Sequence, residues 1–216
     1  MSILVIGDSL SFGSELKDMP KYLGLYGNDD ADTKAEVPPS QYAWPSLISK
    51  RLNIDVNNLS IAGGSNDRIF RLAVNESFKQ SYQCVICAWT TIDRFDFSYQ
   101  GKDFPLTAGV DVSLNFPWFK SYLADHYNSH KSQQRWLAQL LSLQALFKQQ
   151  QQQYLFVKSC GIHIDKSLQY LLSNVDIDWD FDMTSLCSNL THGKQGHFLE
   201  QGHELVADYI LSKISF

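Results

Sequence analysis

Ser9 stands where the apolar run Ile3-Leu4-Val5-Ile6 stops, directly after Gly7-Asp8. A run of that kind reads as a buried strand, and its stop as a tight turn. A hydroxyl there sits at the carboxyl end of a strand, where open α/β sheets place their ligands. It becomes a nucleophile if a base reaches it. Taken alone, Asp8 and Ser9 read first as a helix cap. Three further stretches change the balance. Ser60-Ile61-Ala62-Gly63-Gly64-Ser65-Asn66 and Thr90-Thr91-Ile92-Asp93-Arg94-Phe95 each follow an apolar run, and each is rich in small or hydroxyl residues. The third, Gly196-His197-Phe198-Leu199-Glu200-Gln201-Gly202-His203, leads into the last helical pattern and carries an imidazole.

The elements that must position these groups alternate in type. Strands are expected at Ser2–Ile6, Ile54–Leu59, Gln83–Trp89 and Tyr154–Lys158. Helices are expected at Tyr42–Leu52, Asp67–Lys79, Gln133–Gln153, Asp165–Leu172 and Glu200–Leu211, the last with Leu205, Val206, Tyr209 and Ile210 facing inward. Strand–helix alternation argues an α/β, three-layer α/β/α fold with a mainly parallel sheet. The first, second and third strands should be neighbours, with the Tyr154 strand beside them. Lys17–Ser40 is polar and rich in Gly and Asp; Asp96–His130 is aromatic, holds Pro105 and Pro117, and lacks a sustained period. Both read as excursions that flank Ser9 and shape access to it, with one short helix near Trp118–Tyr127.

At 216 residues, 44% hydrophobic and 19% charged, the chain suits a single globular domain spanning 1–216. A net charge of −5 and the lack of a Lys/Arg cluster argue against nucleic acid as a partner. No apolar stretch is long enough to span a bilayer, and the N-terminus lacks the features of a signal peptide. A cytoplasmic location is the expectation, with export by another route left open. Cys84 and Cys87 form a CxxC inside an apolar run, where a strand sends residues three apart to opposite faces. They read as two core thiols. His126 and His130 are four apart but lack a carboxylate partner signature, so no metal is expected. Neither a Gly-rich phosphate motif nor the Gly-x-Ser-x-Gly elbow occurs, and no cofactor is expected.

The blocks, in this order, resemble the SGNH (GDSL) esterase/lipase family. Gly7-Asp8-Ser9-Leu10 matches its first block letter for letter. Gly63 matches the glycine after the second strand. His197 followed by Gly202-His203 has the spacing of the last block, with Phe198 in place of the usual proline. The resemblance spans nearly the whole chain and implies a flavodoxin-like architecture and ester hydrolysis through an acyl-enzyme. In that scheme Ser9 attacks the carbonyl and His197 carries its proton to the leaving group. The N–H groups of Ser9 and Gly63 would hold the oxyanion, with Thr90, Thr91 or Asn66 as a third donor. The implied partner is a small-molecule or carbohydrate ester.

Two departures stand out. The family's third block, Gly-x-Asn-Asp, should follow the third strand, but Thr90-Thr91-Ile92-Asp93 stands there. A literal Gly64-Ser65-Asn66-Asp67 follows the second strand instead. The family's acid precedes the histidine by two or three residues, where this chain has Gln195 and Lys194. The second ring nitrogen of His197 is therefore expected to meet a backbone carbonyl, a water or Gln195; the spacing does not favour Asp180 or Asp182. These departures keep a rival reading open, a non-catalytic module that retains the fold for binding.

Overall fold

The computed structural model describes residues 2–19, 37–99, 102–107, 121 and 127–215. Four strands form one parallel sheet: β1 (Ser2–Ile6), β2 (Asp55–Asn58), β3 (Cys84–Trp89) and β6 (Tyr154–Lys158), in the order β2-β1-β3-β6. Val5 lies opposite Asn58 on one side and Ile86 on the other, so the carboxyl ends of β1, β2 and β3 come out together. β1 and β3 are apolar almost throughout because both their faces are covered. Their side chains alternate between two cores. Leu4, Ile6, Val85, Cys87, Trp89 and Phe156 point to one face; Ile3, Val5, Cys84, Ile86, Ala88 and Val157 point to the other. Cys84 and Cys87 thus diverge and are unbridged. Burial pushes both thiols up, Cys84 to about 12.

One face is covered by α3 (Asn66–Lys79) and α4 (Ser129–Gln149), through Ile69, Ala73, Trp136, Leu140, Leu143 and Phe147. The other is covered by α2 (Trp44–Leu52) and α6 (Glu200–Lys213), through Trp44, Ile48, Val206, Ala207 and Ile210. The result is the three-layer α/β/α fold that the alternation implied. α2 carries Pro45 in its first turn, where no hydrogen-bonded N–H is needed. α4 begins earlier than its apolar stripe suggested, because the Asn128 side chain caps it by accepting the Lys131 N–H. It ends within the glutamine run, where Gln151 adopts a positive φ of 54°. The expected helix at 165–172 is a 3-10 helix, Lys166–Asn174, and a single turn, α5 (Met183–Leu186), follows it. Leu205, expected inside, lies on the outer side of α6 at 37% exposure, while Val206, Ala207 and Ile210 fill the inner side.

A two-stranded antiparallel sheet departs from the sequence expectation. β4 (Arg94–Tyr99) pairs with β5 (Lys102–Thr107) directly after β3. The alternation Phe95, Phe97, Tyr99 carried that signal, but Pro105 obscured it. A proline is acceptable there because β5 is an edge strand. The hairpin is fastened to α3: Asp96 accepts the Ser65 hydroxyl, pairs with Arg71 at 2.6 Å, and donates its N–H to Asp67 at 3.0 Å. Most of the two excursions, including the short helix expected at 118–127, lies outside the described residues. The base of the first is closed by Asp18, which accepts the Ser40 hydroxyl at 2.5 Å and the Gln41 N–H at 2.8 Å.

Candidate active site

The turn after β1 presents Ser9. Gly7 must be a glycine, since a Cβ there would lie 2.5 Å from Ser11 Oγ and 3.0 Å from the Ala88 Cβ on β3. Asp8 then caps the short helix α1 (Ser9–Phe12), its Oδ1 accepting the Leu10 N–H at 3.0 Å. The helix stops after one turn at Gly13, in the left-handed region at φ 85°. His197 arrives from the other end of the chain. Gly193 N–H donates to the His197 carbonyl at 2.8 Å, and Gly196, at φ 86°, completes the turn ahead of α6. Phe198 is fully buried and packs on His203, which anchors the segment to the core. The His197 Nε2 lies 2.9 Å from the Ser9 Oγ.

The other ring nitrogen corrects the expectation drawn from Gln195. His197 Nδ1 lies 2.9 Å from Glu15 Oε2, a carboxylate six residues beyond the serine rather than just ahead of the histidine. Glu15 reaches it from a backbone at φ 67°. Gln195 takes part through its N–H, which donates to both Glu15 oxygens at 2.9 and 3.0 Å, with the His197 N–H at 3.3 Å. Gly193 makes the room: a Cβ there would lie 2.5 Å from the Glu15 carboxyl carbon. Burial by itself raises the Glu15 pKa. The hydrogen bonds from the His197 ring and from the N–H groups of Gln195 and His197 outweigh it and hold the carboxyl below its ordinary range. Asp182 is occupied elsewhere, accepting the Ser185 N–H and the Thr184 hydroxyl at 2.7 Å each as the cap of α5.

An ionised carboxylate at Nδ1 holds the proton on that nitrogen. The Nε2 lone pair then faces the Ser9 hydroxyl. A hydroxyl so placed can be deprotonated as it attacks, and the resulting imidazolium is paired with Glu15.

The remaining sequence candidates gather around the same turn with different connections. Gly63 sits at φ 76°, and its neighbour Gly64 packs so closely that a Cβ would lie 2.7 Å from the Gly7 carbonyl oxygen. That contact brings the turn after β2 onto the turn after β1. Among the described residues neither the Ser9 N–H nor the Gly63 N–H donates a hydrogen bond. Asn66, at the start of α3, turns its amide to the end of β3: Oδ1 accepts the Thr90 N–H at 3.0 Å, and Nδ2 donates to the Thr90 and Thr91 carbonyls at 3.2 and 3.0 Å. Thr90 Oγ1 and Thr91 Oγ1 are both buried without a hydrogen-bond partner among the described residues. Arg94, at the start of β4, extends a guanidinium nitrogen to 3.6 Å from Asp8 Oδ2 and 3.5 Å from the Gly64 carbonyl.

His203 is fully buried and structural, accepting the Trp44 N–H on Nδ1 at 3.1 Å; burial, with a smaller contribution from His197, lowers its pKa to about 3. His130 meets Asp165 at 3.2 Å on the surface.

Residues 27–171 match the profile of a family of unknown function, DUF6071. No curated protein matches the chain. Several solved structures resemble it. A catalytic mutant of an acetylxylan esterase from Geobacillus stearothermophilus superposes with a TM-score of 0.54 at 15% identity, covering 100% of this chain and 94% of that one. A protein from Desulfitobacterium hafniense DCB-2, described as lipolytic and of the G-D-S-L family, gives 0.52 at 11% identity over 99% of both chains. A psychrotrophic esterase from Pseudoalteromonas sp. gives 0.50 at 13% identity, covering 98% and 94%. At such identities the likeness is one of fold.

Proposed function

The chain belongs to DUF6071, a family of unknown function, and we propose that it is a serine esterase of the SGNH type, with Ser9, His197 and Glu15 as its catalytic triad. The observation that carries the reading is the unbroken relay of Ser9 Oγ, His197 Nε2, His197 Nδ1 and Glu15 Oε2, with 2.9 Å at each of its two hydrogen bonds. A helix cap needs no imidazole on its hydroxyl, and a structural imidazole needs no carboxylate held in a nest of backbone N–H groups.

Ser9 Oγ attacks the ester carbonyl while His197 Nε2 takes its proton. Negative charge on the carbonyl oxygen is met by the N–H groups of Ser9 and Gly63, both without another partner among the described residues. Asn66 is committed to the backbone of Thr90 and Thr91, which leaves the Thr90 and Thr91 hydroxyls as the side chains for a third donor. The protonated His197 then gives its proton to the departing alkoxide, leaving the acyl group on Ser9. Water, deprotonated by the same nitrogen, releases the acid. Glu15 stays ionised throughout and stabilises the imidazolium. The esterases among the structural neighbours support an O-acetyl carbohydrate or a small acyl ester as substrate. This chemistry uses no cofactor.

The test is direct. Wild-type protein should label with a fluorophosphonate and hydrolyse p-nitrophenyl acetate, and Ser9→Ala should do neither. Wild-type protein that neither labels nor turns over short aryl esters or acetylated xylo-oligosaccharides would overturn the reading in favour of a binding module.

A further inference from the structure

Asp8 poses an electrostatic problem. Its carboxylate is 3% exposed and belongs to the residue directly before the serine. One oxygen is satisfied by the Leu10 N–H at 3.0 Å. The negative charge is still close to the place where an oxyanion must form, and like charge there raises the barrier. The cap itself needs only an oxygen acceptor, so the helix gains little from a full charge buried at this spot.

Arg94 answers it. Its guanidinium nitrogen lies 3.6 Å from Asp8 Oδ2 and 3.5 Å from the Gly64 carbonyl, so one group bridges the residue before Ser9 and the residue after Gly63. The position is set by the hairpin, since Arg94 is the first residue of β4 and Asp96, two residues on, is clamped to Ser65, Arg71 and Asp67. The Arg94 side chain is only 20% exposed, which keeps its charge from being screened by water.

We propose, resting on the serine esterase reading, that Arg94 is a positioning residue of the oxyanion pocket. It neutralises the buried Asp8 carboxylate at the start of α1 and ties that turn to the Gly63–Gly64 turn. Arg94 touches no reacting atom in this scheme; it acts through Asp8 and Gly64.

A double-mutant cycle tests it, read as kcat and KM on p-nitrophenyl acetate and as the second-order rate of fluorophosphonate labelling. Arg94→Met should lower kcat by about 10- to 100-fold, the scale of one unit charge acting over several ångströms at the dielectric of a protein site, with KM little changed. Arg94→Lys should recover part of the loss. Asp8→Asn keeps the cap acceptor and removes the charge, so Asp8→Asn/Arg94→Met should be much more active than Arg94→Met alone. Additive losses, or a double variant no better than Arg94→Met, would overturn the proposal and leave Arg94 as a hairpin anchor. Thermal melting of each variant separates lost activity from lost fold. An inert wild-type protein would instead sink the esterase reading itself.

Discussion

Replacing Glu15 by glutamine removes one charge from the site and keeps its size. The amide has two ways to sit. With its oxygen at the present Oε2 position it still accepts from His197 Nδ1, now 2.9 Å away, and from the N–H groups of Gln195 and His197. Its NH₂ group then faces the Gln195 N–H, 2.9 Å from where Oε1 now stands. In this arrangement the tautomer is kept and the imidazolium loses its counter-charge. A pair of unit charges about 4 Å apart at an effective dielectric near 20 is worth about 4 kcal/mol, or about 10³-fold in rate. The opposite orientation points the NH₂ at Nδ1, forces the proton onto Nε2 and disarms it as a base, a loss of about 10⁴-fold. Glu15→Gln should therefore reduce kcat/KM on p-nitrophenyl acetate by about 10³- to 10⁴-fold and slow fluorophosphonate labelling in parallel. Circular dichroism should show an intact fold. A variant within tenfold of an active wild type would refute the assignment of Glu15.

Ser9→Ala should abolish labelling and turnover while changing unfolding free energy by no more than about 1 kcal/mol in urea, since it removes a single hydroxyl hydrogen bond. Gly193→Ala should lower kcat by at least about tenfold with little change in melting temperature, because the new methyl displaces the flexible end of Glu15 rather than any backbone; unaltered kcat would show that Glu15 can relax without cost. Gln195→Asp should not raise activity, since its N–H already serves Glu15 and a second carboxylate beside it repels the first. Stability should fall as acid is added below about pH 6.5. His203 stays neutral in the fold down to about pH 3, so the unfolded chain binds a proton the native state refuses. The slope approaches about 1.4 kcal/mol per pH unit across that window and should flatten in His203→Asn, as read from urea midpoints. Glu15 adds to the loss at lower pH, because its depressed carboxyl must be protonated as the pH falls through its folded value.

The parallel sheet was legible in the letters, since uniformly apolar strands separated by amphipathic helices leave few other ways to bury both faces. Ser9 and His197, the proposed nucleophile and base, were legible as well, because a hydroxyl at a strand end and an imidazole before the last helix are local features, each readable in a few consecutive letters. The proposed acid was not local. A histidine base takes a carboxylate at hydrogen-bond distance from Nδ1 wherever in the chain it comes from. Glu15 and His197 stand 182 residues apart, and only the fold of the Gly193–Gly196 turn over the end of α1 joins them. The nearest trace in the sequence was Gly193, whose missing side chain gives Glu15 its space, and a lone glycine does not announce what lies against it. Asn66 shows the same limit from the other side. Its motif carried the right letters, yet its amide could be spent on an oxyanion or on backbone, and the packing of α3 against the end of β3 settled it on Thr90 and Thr91. Arg94 had no role in the sequence reading, and the β4–β5 hairpin set it against Asp8. Spacing along the chain specifies contacts within one element; contacts between distant turns are set by the order in which the sheet lays its strands side by side.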